Sequence, residues 1–318
     1  MAEDLSAHSS LFSVYPMKSL TQRIPILDAV LKGIGQIMLQ ENAWTGLLFL
    51  VGIFCGALQM GIGAILAALC GTLTAKVLKY KEDEIESGLY GFSAALVGVA
   101  LPFYFQSVAV IWIAIVVGAM LATMLQHFFI VRKIPVFTFP FVFVTWVLLY
   151  IFHQVYPVGP ADVLMMETPL NPDFAYALRG FGQVIFQGGT FAGLLFFIAV
   201  FISSPISALY AMAAGVIAAF ISSCLSLSPQ ESIHMGLGSY NAVLCAIVFA
   251  GTKVMDGLWV LLSVLLALAI AWVMAQYHFT LLTFPFVAGT CLTLVIKNIH
   301  TKFFKIEKAV QSGANQRH

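Results

Sequence analysis

The sequence predicts an all-α polytopic membrane protein, and three observations carry this prediction: the composition, the length of the apolar stretches and an internal repeat. Of the 318 residues, 61% are apolar and 9% are charged, and the mean hydropathy is +0.97. A soluble domain is about half apolar and about a quarter charged. Several apolar stretches exceed the roughly 20 residues that a membrane-spanning helix needs. We therefore expect lipid to surround most of the chain.

The same composition argues against several other classes of protein. Segment 1–24 lacks the apolar core of a cleavable signal peptide and is expected to be a cytoplasmic N-terminal segment. The net charge of +1 gives no basis for a nucleic-acid partner. The five cysteines are scattered through apolar segments without metal-site or disulfide spacing, so we expect neither a metal nor another cofactor.

An internal repeat divides the chain into two halves. Segment 33–54 aligns without gaps with segment 180–201, and nine of the 22 positions are identical, whereas so biased a composition yields about two by chance. GLYGFSAAL and TFPFV of the first half return in the same order as GLGSYNAVL and TFPFV. The three offsets are 147, 148 and 145 residues, which indicates a duplication.

Hydropathy divides each half into five predicted spans and one shorter apolar piece. The spans of the first half lie near 26–41, 44–58, 60–79, 105–128 and 134–154. Those of the second half lie near 173–188, 191–205, 207–227, 257–276 and 280–299. The short pieces, 87–100 and 234–250, are expected to be re-entrant half-helices. Because each half has an odd number of predicted crossings, the two halves would have opposite orientations in the membrane. We therefore expect two inverted repeats with a pore at the repeat interface.

These boundaries predict the arrangement of the chain across the membrane. They give a first repeat at 25–155, an extracytoplasmic connection at 156–172, a second repeat at 173–300 and a cytoplasmic tail at 301–318. The tail contains four basic residues and the connection contains none. By the positive-inside rule, both termini are expected to be cytoplasmic.

Ionisable side chains are nearly absent from the predicted spans, although ion-coupled transporters and proton pumps need them at membrane depth. Asp28 and Lys32 lie one helical turn apart and can pair with each other, and an interface role is favoured for them. Glu231 and His234 are three residues apart, and an ordinary helix-terminal role is favoured over a metal or catalytic role. Without a zinc-ligand helix, nucleophile elbow or phosphate-binding loop, the sequence does not indicate an enzyme.

Neutral polar and apolar residues recur instead. Gln36 and Gln183 each stand in G-x-G-Q at the same repeat position. A buried amide needs hydrogen bonds, so each glutamine either joins helices or meets a solute near the central axis. Two pairs of apolar residues, Phe92 with Leu96 and Tyr240 with Leu244, are spaced i and i+4, so each pair shares one face of its short helix. Either core packing or a binding slot would explain these pairs. The same alternatives apply to Leu39 and Phe186, three residues after the glutamines.

The repeated TFPFV places a proline inside each last span. Pro140 and Pro285 each remove a backbone donor and are expected to interrupt the helix, so that carbonyls lose their intrahelical partners. Thr138 and Thr283, two residues earlier, add hydroxyls at the same level. One explanation is a pair of kinks stabilised by threonine, and the other is two rows of acceptors facing a narrow path. Together these features fit a neutral passage for a small planar solute with several N–H donors.

At these motifs the chain resembles the urea transporter family in its bacterial form. The resemblance covers nearly all of 24–300, through GIGQIMLQENAWTGLLFL, GLYGFSAALVGVAL, IPVFTFPF, GFGQVIFQ, GLGSYNAVLCAIV and LLTFPF. It implies a homotrimer in the bacterial inner membrane, with lipid at its centre and a pore through each protomer. Urea would pass down its gradient through a slot lined by oxygen ladders, supplying a cytoplasmic urease. A channel for ammonia, short amides or water is the alternative.

The resemblance also implies roles for individual residues. Gln36 and Gln183 would bind urea near the pore mouths, and Thr138 and Thr283 would contribute hydroxyls at the central constriction. The slot walls would be formed by Phe92, Leu96, Tyr240 and Leu244, assisted by Leu39 and Val184. The chain departs from the family pattern at four positions. Ile134 replaces Leu, Thr280 replaces the first proline of the second motif, Leu39 stands where Phe is frequent, and Ser93 replaces an asparagine that the second half keeps as Asn241.

Overall fold

The computed structural model describes residues 25–135, 137–161 and 175–315, with side chains as far as residue 302. Within these ranges every regular element is a helix, and the only strand-like pairing is an isolated bridge between Phe105 and Pro160. The predicted all-α class is confirmed. The predicted segments 1–24 and most of 156–172 lie outside the described residues.

The first half contains seven α-helices and two short helical extensions. A 3-10 turn, Gln36–Met38, follows α1, and a π-helical turn, Ile151–Val155, continues α7. The α-helices are α1 (Pro25–Gly35), α2 (Ala43–Gly56), α3 (Leu58–Val77), α4 (Glu82–Glu86), α5 (Phe92–Tyr104), α6 (Ala109–Val131) and α7 (Phe139–Tyr150).

The second half repeats this series of helices. They are α8 (Tyr176–Gln183), α9 (Thr190–Ser203), α10 (Pro205–Cys224), α11 (Gln230–His234), α12 (Tyr240–Phe249), α13 (Val254–Gln276) and α14 (Phe284–Asn315). From α2 and α9 onward, equivalent helices begin 145 to 148 residues apart. The offsets between helix starts therefore match the offsets between the sequence blocks.

Helix length supports fewer membrane crossings than hydropathy predicts. Among the described residues, four helices are long and apolar enough to cross a membrane: α3, α6, α10 and α13. The count rises to five if α1 and α2, which are bent by 75° relative to each other, form one broken span. At 1.5 Å per residue, the 14 residues of α2 extend only about 21 Å, against a hydrocarbon core about 30 Å thick. The ten predicted crossings stay a prediction.

The expectation that two prolines interrupt helices is wrong. Pro140 and Pro285 are each the second residue of a helix, α7 and α14. The first-turn N–H of a helix has no intrahelical partner, so proline is tolerated there. The predicted spans began five and four residues too early, because hydropathy does not register the left-handed residues Phe137 (φ 48°) and Leu282 (φ 44°) that precede the helices.

Equivalent residues of the two halves contact each other directly. The rings of Phe49 in α2 and Phe196 in α9 meet edge to face, with centroids 5.0 Å apart. Beside them, the Thr45 hydroxyl donates to the Ala199 carbonyl at 2.9 Å. Contacts between equivalent residues are typical of a two-fold arrangement, in which the same surface of each unit meets its counterpart. The two halves share one hydrophobic core around this contact.

Glycines let the first two helices of each half approach closely. A Cβ on Gly46 would overlap the Leu31 carbonyl oxygen, and a Cβ on Gly193 would overlap the Leu178 carbonyl oxygen. These glycines are equivalent in the repeat, so the same contact joins α1 to α2 and α8 to α9. This close approach lies beside the bend that follows each G-x-G-Q motif.

We expect Gly46→Ala to destabilise the protein, because a methyl group there must push α1 away from α2. Overpacking in a tight core costs about 1–3 kcal/mol. Thermal unfolding of the purified protein in detergent measures the effect, and a transition several degrees lower is expected. Gly189→Ala is the control, since nothing lies within 4 Å of a Cβ at that position. Equal transitions for both variants would contradict the close contact.

Candidate functional site

The two TFPFV segments meet at their threonines. Thr138 Oγ1 and Thr283 Oγ1 are 2.7 Å apart and hydrogen-bonded, and each residue is only 3% exposed. Because Phe137 and Leu282 take left-handed conformations, each threonine stands at the start of the helix that follows. The predicted juxtaposition of the two motifs is observed, and the hydroxyls are in contact without a gap. This is a second point, after Phe49 and Phe196, where equivalent residues pair.

The start of α12 holds the start of α14. The Tyr240 hydroxyl donates to the Leu282 carbonyl at 2.6 Å, and the Asn241 Oδ1 accepts from the Phe286 backbone N–H at 3.1 Å. The second bond satisfies a first-turn donor that α14 itself cannot. Sequence reasoning noted Asn241 only as a departure between the halves and missed this capping role. In the first half Ser93 instead approaches the side chain of Gln126, at 3.5 Å.

The two predicted mouth glutamines make the same hydrogen bond in each half. Gln36 Nε2 donates to the Ser87 carbonyl at 3.1 Å, and Gln183 Nε2 donates to the Met235 carbonyl at 2.9 Å. Both side chains are half-buried. One amide hydrogen is thus used within the half, which fits the helix-joining hypothesis. Within the described ranges no hydrogen bond engages either Oε1, so each amide keeps an acceptor and a second N–H for another partner.

A hydrogen-bonded chain holds the turn that carries Ser87. The Tyr90 hydroxyl donates to Glu84 Oε2 at 2.5 Å, and it lies 2.8 Å from His127 Nδ1. Because the phenol has one hydrogen, His127 must donate through Nδ1. Burial, reinforced by the Glu84 carboxylate, raises the pKa of the Tyr90 phenol, so this residue stays a donor. The second half has Gly238 in place of Tyr90 and lacks the chain.

A second pair of glutamines, missed from the sequence, closes the bend after each motif. Gln40 and Gln187 are 4% and 1% exposed. Gln40 Nε2 donates to the Met38 carbonyl at 2.8 Å, and Gln187 Nε2 to the Ile185 carbonyl at 3.2 Å. Their identity in the aligned repeat was the available signal. They satisfy backbone carbonyls at left-handed bends of their own segment. Gln36 and Gln183 instead donate to carbonyls of a turn distant in sequence, at Ser87 and Met235.

The predicted wall residues lie together in the shared core. Phe92, Leu96, Val184, Tyr240 and Leu244 are all buried and belong to one hydrophobic cluster, with Leu39 and Phe186 packed against it. Leu96 and Leu244 are fully buried. The structure thus places the predicted wall residues of both halves in the core that the halves share.

A cavity of about 1000 Å³ opens at one end of the site. Its lining includes Phe186, which the sequence offered for either core packing or a binding slot, together with Gln187, Phe103 and Gln106. The residues to which the resemblance gives a role in binding urea do not line it. The Phe186 ring lies 5.0 Å from that of Phe103 and 6.3 Å from that of Phe141, measured between centroids. Phe141 directly follows Pro140. Phe186 therefore connects the cavity wall to the start of α7.

Charged groups near the site are few. In the described part of the chain no cluster of three or more His, Cys, Asp or Glu side chains could hold a metal. The predicted pair of Asp28 and Lys32 forms a salt bridge at 3.0 Å. Arg179, equivalent to Lys32 in the repeat and overlooked in the sequence, is 7% exposed and donates to the His234 carbonyl at 2.8 Å. It therefore helps to hold the same turn as Gln183.

Comparison with known proteins gives one family. The family model described as Urea transporter matches residues 27–298. Urea transporter 1 of Ovis aries is 27% identical over 316 aligned residues, which cover 91% of this chain and 82% of that protein, and the Capra hircus protein gives the same values. Urea transporter 1 of Rattus norvegicus is 26% identical over 322 residues, covering 92% and 83%.

The match extends over the whole of both halves, including every residue that builds the meeting point of the TFPFV motifs. It agrees with the apolar helices and with the resemblance of the individual motifs. The chain belongs to the urea transporter family, a family of multi-pass membrane transporters and not of enzymes.

Proposed function

We propose that this protein conducts urea passively, down its concentration gradient, through a neutral path that crosses the membrane between its halves. Family membership supports urea as the permeant. The observation that carries the mechanism is the buried contact between Thr138 and Thr283, two hydroxyls from equivalent helix starts, 2.7 Å apart. No charged side chain takes part in this contact, so the meeting point offers hydrogen bonds and no ion-binding field.

Passage at this point requires an exchange of hydrogen bonds. Urea is planar and carries four N–H donors and one carbonyl acceptor. A molecule entering between the threonines would break the bond between the two hydroxyls and form one with each. Because equivalent hydrogen bonds are lost and gained, the net free-energy change is about 1 kcal/mol or less. Such an exchange permits selection for hydrogen-bonding solutes without tight binding.

The other site residues supply the approach to this point. Gln36 and Gln183 have an unused Oε1 within the described structure, which would accept N–H groups of urea at the two mouths. The cavity beside Phe186 would serve as the vestibule on the side of Gln183. Flat apolar walls would then desolvate the faces of the solute, formed by Phe92, Leu96, Tyr240 and Leu244 with Leu39 and Val184.

The arrangement in the membrane forms part of this proposal. An axis passing between Phe49 and Phe196 and between Thr138 and Thr283 suits inverted repeats, with five crossings in each half and both termini cytoplasmic. Exposed apolar residues cover α6 and α13, such as Ile113 and Leu258, which are 63% and 53% exposed. These surfaces would face lipid or neighbouring protomers of a homotrimer. We place the protein in a bacterial inner membrane, where it would supply a cytoplasmic urease.

Proteoliposomes containing the purified protein are expected to take up urea at a rate that is independent of sodium and proton gradients. No acidic or basic side chain takes part in the threonine contact, and the carboxylate of Asp28 is paired with Lys32 in a salt bridge. Stopped-flow light scattering measures the flux with and without each gradient. Uptake that needs either gradient would overturn the passive mechanism, and equal rates for water and ammonia would favour the less selective alternative.

Replacing Thr138 and Thr283 by valine should reduce urea flux about tenfold or more while water permeability changes little. Valine keeps the shape of threonine but removes the hydroxyl, and each lost hydrogen bond is worth about 1 kcal/mol. The double variant is compared with Thr145→Val, which removes a buried hydroxyl of α7 that has no hydrogen-bond partner among the described residues. Parallel losses of urea and water permeability in the double variant would argue against threonine selection.

Gln36→Leu should lower urea flux severalfold without altering the oligomeric state. The variant loses both the bond to Ser87 and the unused amide groups at the mouth. Size-exclusion chromatography with light scattering, together with flux, separates the two hypotheses for this residue. Gln276→Leu, at the exposed end of α13, is the matched control. Dissociation of the oligomer with unchanged flux per protomer would show that Gln36 only joins helices.

A further inference from the structure

The two halves differ at the residue that begins each short inner helix. α5 begins with Phe92, and α12 begins at the equivalent position with Tyr240. The two side chains are similarly buried, at 6% and 8% exposure. The added hydroxyl of Tyr240 donates to the Leu282 carbonyl at 2.6 Å. Phenylalanine cannot make this bond.

The acceptor of this bond is next to the centre of the site. Leu282 immediately precedes Thr283, and its equivalent, Phe137, immediately precedes Thr138. Both residues have left-handed backbones, with φ of 44° and 48°, so their carbonyls are presented by the same kind of turn. Within the described residues the Phe137 carbonyl accepts no hydrogen bond, whereas the Leu282 carbonyl accepts one from Tyr240.

We propose that the Tyr240 hydroxyl makes the two sides of the urea path unequal by occupying the Leu282 carbonyl, and that the Phe137 carbonyl is the acceptor left for the solute at this level. This inference rests on the proposed urea path. Tyr240 is then a positioning residue: it limits the number of urea N–H groups that the centre satisfies at once. The consequence is weak binding, which favours rapid release over long occupancy.

A purely structural role for the hydroxyl gives a different expectation. If the bond only anchors the start of α14, its loss leaves a buried carbonyl without a partner and lowers stability. Asn241 would still cap Phe286, so α14 keeps a second anchor and the variant is expected to fold. The structural role does not predict tighter urea binding, and it does not predict any change in discrimination among solutes.

The test is the saturation of urea flux in proteoliposomes containing Tyr240→Phe. Freeing the Leu282 carbonyl should lower the half-saturating urea concentration about twofold to tenfold, the value of one added hydrogen bond. N,N′-dimethylurea has half the N–H groups of urea, so its flux should change less than that of urea. Tyr150→Phe, an exposed tyrosine of α7 that is 65% exposed, is the control.

Phe92→Tyr gives the reciprocal measurement and covers the case in which Tyr240→Phe does not fold. If the two halves are built alike here, its new hydroxyl should donate to the Phe137 carbonyl, so the half-saturating concentration should rise by a similar factor. Unchanged saturation in either folded variant, with or without a lower unfolding temperature, would overturn the inference and leave the urea path intact. Absence of saturable urea flux in the unsubstituted protein would instead overturn the proposed function.

Discussion

Backbone N–H and C=O groups in the hydrocarbon region have no water to hydrogen-bond with, and this constraint governs the structure wherever a helix begins or ends. The chain stops helices repeatedly, at left-handed residues such as Leu39, Phe186 and Leu282. At these three points a side chain supplies a missing partner: Gln40 and Gln187 bond the carbonyls of the bends, and Tyr240 and Asn241 bond the start of α14. These three interruptions are compatible with a membrane interior because polar side chains satisfy the backbone groups there.

The sequence predicted those features that repetition makes visible. Composition identified the all-α membrane class, and the repeated TFPFV singled out Thr138 and Thr283, whose hydroxyls the structure brings into hydrogen-bond contact. Hydropathy located the apolar segments but carried no information about backbone conformation. It could not register the left-handed turn at Phe137, so it placed Pro140 inside a helix instead of in the first turn.

The contacts that were missed depend on distance in space rather than on residue type. Asn241 reaches Phe286 across 45 residues of sequence, and Arg179 reaches His234 across 55. Nothing in the local sequence of either residue specifies such a partner. The repeat contained partial signals, since Gln187 matches Gln40 and Arg179 matches Lys32. An equivalent position indicates a shared role, but it does not say whether that role is to bind a solute or to close a bend.

The pairing of Phe49 with Phe196, and of Thr138 with Thr283, has a consequence for the history of the chain. Contacts between equivalent residues across a two-fold axis are those of an isologous dimer interface. Two copies of a single half could use the same surfaces to assemble around the same axis. The covalent link between the halves then freed them to diverge, and the difference between Phe92 and Tyr240 is a divergence that a symmetric dimer of identical subunits could not acquire.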